Sequence, residues 1–124
     1  MTRELPAAFR RIVMELAREP GHPHGDASDR YTLVAPLGED ARIDPTRLKD
    51  HAVGGRVVRD LDGSVGQLVH GPGGRWWFHY EGAEGPEDEL VFRLAEERLV
   101  TGEYVSVVRD GETHPFRVTQ VSEV

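Results

Sequence analysis

The sequence predicts an α+β domain: an N-terminal amphipathic helix packed on a strongly bent antiparallel sheet, or on a small open barrel of about six or seven strands. Three observations lead there. Residues 4–18 carry an apolar stripe at helical spacing. Short β-rich runs separated by glycine turns fill residues 30–124. Two of those runs, 65–70 and 75–80, flank Gly71-Pro72-Gly73-Gly74 and hold both tryptophans of the chain.

The helix rests on Leu5, Ala8, Phe9, Ile12, Val13 and Leu16, with Glu4, Arg10, Arg11, Glu15 and Arg18 between them. Pro6 suits a first turn and Pro20-Gly21 a helix end. Such a stripe packs on the chain's own sheet, or pairs with a protein partner or a second copy. Residues 19–29 form a linker. His22, His24, Asp26 and Asp29 are metal-ligand types, but proline and glycine make this segment a poor scaffold, so no metal is expected.

Residues 30–35 read as the first strand, stopped by Pro36. Asp44 caps a short helical turn with Pro45 at its first position, and Gly54-Gly55 ends it. Residues 56–61 form a second strand that turns at Asp62-Gly63. Asp60, Asp62 and Ser64 lack the remaining oxygen ligands and the closing glutamate of a calcium loop.

A four-residue loop at 71–74 sets His70 opposite Arg75, and so Val69 opposite Trp76 and Gly66 opposite His79. One face then holds Val65, Gln67, Val69, Trp76, Phe78 and Tyr80 and belongs to the core. The other holds Leu68, His70, Arg75, Trp77 and His79. Arg75, Trp77 and His79 are the candidate ligand-binding residues: an indole to stack, with a guanidinium in cation–π reach and an imidazole beside it. The competing expectation covers Trp77 with the N-terminal helix. His70 and His79 sit roughly 13 Å apart in this register, too far to share a metal whose ligands lie about 2 Å away.

Residues 81–89 are acidic and read as an exposed loop. Residues 90–94 give a short strand. The last hairpin, 103–109 and 112–121 around Asp110-Gly111, pairs Tyr104 with Arg117, Val105 with Phe116 and Val107 with His114. Pro115 marks the final strand as an edge.

The chain has 124 residues, 38% of them hydrophobic and 30% charged, which suits one soluble domain spanning 1–124. It contains no cysteine, so thiol chemistry and disulfides are excluded. A net charge of −7 weighs against nucleic acid, which needs a basic stripe. The apolar run near the N-terminus is too short for a membrane span, and the cytoplasm is the expected compartment.

The phrases Tyr31-Thr32-Leu33-Val34-Ala35-Pro36-Leu37, Arg42-Ile43-Asp44, Trp77-Phe78-His79-Tyr80, Gly102-Glu103-Tyr104-Val105-Ser106 and Phe116-Arg117-Val118 together resemble a family of small uncharacterised bacterial proteins. The resemblance implies a bacterial, intracellular, single-domain protein and transfers no activity or site residue. The function expected is therefore a non-enzymatic binding or interaction module without a cofactor. Two alternatives stand beside it: an enzyme using His79 or His114 for acid–base work, and a homo-oligomer joined by its N-terminal helix or by a sheet edge.

Overall fold

The computed structural model describes residues 9–50, 55–71, 75–82 and 87–124. Eight strands follow one another around a closed antiparallel barrel: β1 (Phe9–Leu16), β2 (Asp26–Pro36), β3 (Gly55–Arg59), β4 (Ser64–His70), β5 (Trp76–Tyr80), β6 (Glu89–Phe92), β7 (Tyr104–Arg109) and β8 (Glu112–Glu123). Each strand pairs with the next, and β8 returns to β1. Among the described residues, helix is confined to α1 (Pro45–Asp50) and one 3-10 turn, Leu94–Glu96. The fold is all-β, not α+β, and the sheet is closed rather than open.

The expected N-terminal helix is the main correction. Its residues 4–8 lie outside the described residues, and residues 9–16 are strand β1. Ile12, Met14 and Leu16 alternate inward and are buried. The same eight residues satisfy both a helical and a two-residue period, so the stripe alone did not decide. Closure decides it, because β1 hydrogen-bonds to β2 on one flank and β8 on the other. A helix there would leave two sheet edges bare. It follows that the proline-bearing β8 is no edge. Pro115 pairs with Ser106 on β7, while its carbonyl accepts from Ala17 N at 2.8 Å, where β1 has just ended. The missing N–H thus faces Ala17, just past the end of β1, so proline leaves unmade only the reciprocal half of that terminal pair.

The central hairpin is shifted by one residue. His70 pairs with Trp76, Leu68 with Phe78 and Gly66 with Tyr80, so the connection spans residues 71–75. A one-residue slip exchanges the faces of one strand. Trp76, Phe78 and Tyr80 point inward as expected, but their partners are Leu68 and Gly66, while Gln67 and Val69 are exposed. This register keeps the polar glutamine out of the core.

Large side chains fill the interior, as eight strands allow. Tyr31 sits between Phe78 and Phe116, with ring centroids 5.1 and 4.9 Å away. The connections 17–25, 60–63, 81–88 and 110–111 share one end of the barrel, called here the tyrosine end. Helix α1 and the connections 71–75 and 93–103 lie at the other, the helix end. That end is capped by Ile43, Leu48, Leu94 and Leu99, all buried and continuous with the core. Helix α1 is placed as the sequence predicts: the Asp44 carboxylate accepts from the Thr46 and Arg47 amides at 3.1 and 3.2 Å. Gly55 lets it dock. A Cβ there would come within 2.9 Å of both Leu48 and Leu68.

Candidate functional site

The inward series of β4 and β5 runs out at the helix end on His70 and Trp76. These two are directly opposed across the hairpin, and their rings stack with centroids 4.3 Å apart and planes inclined by 3°. Trp76 is 1% exposed, whereas His70 is exposed to solvent. The pair forms part of the wall of a cavity of about 570 Å³ between α1 and strands β3–β5. Thr46 and Leu48 of α1 line it opposite Gly55 and Leu68. Among the described residues, no aspartate, glutamate, lysine or arginine lines it. The described lining includes the polar Thr46 hydroxyl and the His70 ring. Such a lining selects a neutral, flat, mostly apolar molecule, because an ion would lose its hydration without a countercharge.

The three residues singled out from sequence lie elsewhere. Arg75, Trp77 and His79 sit on the outer wall, with Arg75 and His79 exposed and Trp77 half-buried. Trp77 pairs with Val69 and Leu90 rather than with Leu68. The guanidinium seated over a ring among the described residues is that of Arg109, 5.4 Å from Phe116. Gly66 offers no space beside the three residues, since a Cβ there would meet the His79 carbonyl oxygen at 2.2 Å. His79 places Nδ1 2.7 Å from the Asp88 carboxylate in an exposed pair.

His114, the other acid–base candidate, holds Glu19 at 2.9 and 3.1 Å through Nδ1. His22 approaches the same carboxylate at 3.4 Å. The linker residues considered as metal ligands are dispersed: Asp26 accepts from Ser28, and Asp29 is taken by Arg109. Among the described residues no three histidine, aspartate or glutamate side chains are arranged to hold a metal ion.

Sequence reasoning missed the tyrosine end. The inward positions there are Tyr31, Arg59, Tyr80, Glu89 and Arg109. Glu89 is no loop residue but the buried first position of β6. One of its oxygens accepts from the hydroxyls of both Tyr31 (2.9 Å) and Tyr80. Arg59 approaches the other at 3.7 Å, and its buried Nε makes no hydrogen bond. Burial, reinforced by the Glu89 carboxylate, pushes both phenols well above their ordinary range. Burial opposes the charge on Arg109, but its bond to Asp29 prevails and raises its pKa. The available signal was alternation: Glu89 is two residues before the buried Val91.

No family model, curated protein or solved structure matches this chain. The functional reading therefore rests on geometry. The tyrosine end is crossed by internal hydrogen bonds and ion pairs, whereas the helix end offers space.

Proposed function

We propose that this protein is a small non-enzymatic binding module of the bacterial cytoplasm, and that it takes a neutral planar molecule into the helix-end cavity. The observation that carries this reading is the parallel His70–Trp76 stack in the wall of a ligand-sized cavity whose described lining carries no carboxylate, ammonium or guanidinium group. The compartment rests on the sequence resemblance alone. Oligomerisation through an N-terminal helix is not part of the reading, because residues 9–16 are committed to the barrel on both flanks.

The test uses the full chain and the neutral fluorescent probe N-phenyl-1-naphthylamine. Saturable enhancement of its emission is expected. Thr46→Trp, which fills the cavity from an exposed helix position, should abolish it, and His70→Ala should weaken it about tenfold by removing a stacking face. Undiminished binding by Thr46→Trp, or no binding by the unaltered protein, overturns the reading.

A second reading has one specific support. The His79–Asp88 contact orients an imidazole whose Nε2, among the described residues, has no partner and could transfer a proton. Loss of a hydrolytic activity in His79→Ala with an unchanged melting temperature would favour it.

A further inference from the structure

A second surface, independent of the helix-end cavity, lies on the outer wall where β1 leaves the sheet. A groove of about 380 Å³ runs between the end of β1, residues 17–24 and β8. Arg18 and Arg117 line it together with His24 and Tyr104. For a chain whose net charge is −7, this is a local excess of cations.

The two guanidiniums are differently held. Arg18 donates its Nε to the Pro23 carbonyl at 3.0 Å, which fixes the group, and among the described residues its two terminal NH2 groups make no hydrogen bond. Arg117 is exposed and enters no ion pair among the described residues. Its cross-strand neighbours are Tyr104 on β7 and Glu15 on β1. Glu15 also lines the groove and subtracts one charge. It stands between Arg117 and Arg30 in the β2–β1–β8 row, and Arg30 is already bonded to Asp60 at 2.6 Å. Tyr104 is 57% exposed, the highest figure among the exposed large hydrophobics described.

The geometry points to this groove as a site for a small aromatic phosphate monoester. Two forked guanidiniums match the multiple oxygens and double charge of a phosphate better than they match a single carboxylate. The ring of the ester lies against Tyr104, beside the Arg117 that takes its phosphate.

Calorimetric titration of the full chain at low ionic strength compares phenyl phosphate, inorganic phosphate and phenol. Phenyl phosphate should saturate the protein, inorganic phosphate should bind more weakly, and phenol should not bind. Arg117→Ala should weaken both phosphates about tenfold, and Arg18→Ala should act in the same direction. Tyr104→Ala should erase the advantage of phenyl phosphate over inorganic phosphate. All three side chains are exposed, so unchanged melting temperatures will verify the folds. Absence of saturation at millimolar phenyl phosphate, an Arg117→Ala protein that binds as before, or phenol binding as well as its phosphate would overturn the assignment. Equal binding of the two phosphates by the unaltered protein would overturn the aromatic part and with it the ligand class.

Discussion

Arg109 grips Asp29 with both terminal nitrogens, at 3.0 and 2.8 Å, across 80 positions of sequence. The two residues are on β7 and β2, strands that are not neighbours, so the ion pair spans the mouth of the barrel instead of lying along its wall. Their side chains are only 11% and 10% exposed. Removing one partner strands the other charge in a poorly hydrated place. Asp29→Ala or Arg109→Ala should therefore cost about 3–5 kcal/mol, while the double change Asp29→Leu with Arg109→Met should recover much of it. Urea unfolding of the four proteins measures this. Single variants that lose less than about 1 kcal/mol would place the pair in the weak, surface class.

Tyr31 and Tyr80 predict an alkaline limit. Burial and Glu89 hold both phenols above their ordinary value. An unfolded chain releases those protons near pH ~10, and the folded one retains them. The stabilisation is complete below that pH and declines as pH rises beyond it. A spectrophotometric titration of tyrosinate should show these two rings ionising only as the fold is lost. Replacing both with phenylalanine should flatten the alkaline slope; an unchanged slope would refute their role.

Gly66 should tolerate no side chain. A Cβ there would stand 2.2 Å from the His79 carbonyl oxygen and 3.0 Å from the Tyr80 Cα, both backbone atoms that cannot swing aside. Gly66→Ala is expected to destabilise by about 1–3 kcal/mol, as overpacking does. Gln67→Ala, exposed on the opposite face, serves as the control. Equal melting temperatures for the two variants would contradict the close approach.

Strand β1 should be indispensable. A chain beginning at Asp26 leaves the β2 and β8 ladders open on one side and removes Ile12, Met14 and Leu16 from the core. It is expected to aggregate or remain unfolded. A soluble monomer that keeps its strand signal in circular dichroism would show that the barrel closes without β1.

Legibility in the sequence followed the strength of local turn chemistry. The β7–β8 register was readable residue by residue, from Arg109 opposite Glu112 to Tyr104 opposite Arg117, because Asp110 and Gly111 adopt the positive φ values of 51° and 79° that a two-residue turn requires. The Asp44 cap was equally local. The Gly71-Pro72-Gly73-Gly74 segment fits loops of several lengths, so the β4 faces came out reversed and the His70–Trp76 stack stayed hidden. Arg75, Trp77 and His79 kept their shared outer face, with Trp77 opposite Val69 rather than Leu68. The helix expectation failed because Ile12 and Leu16 fit both periods, and only pairing with β8, far along the chain, separates them. Glu89 was lost among the acidic residues before it; its role depends on two tyrosines distant in sequence.

Thr119 on the final strand reaches the Val13 carbonyl across 106 positions. During synthesis at about 5–20 residues per second, that partner emerges on the order of 5–20 s after Val13. Until β8 arrives, β1 has no partner on that flank, so closure of the barrel waits on the last of its eight strands to leave the ribosome.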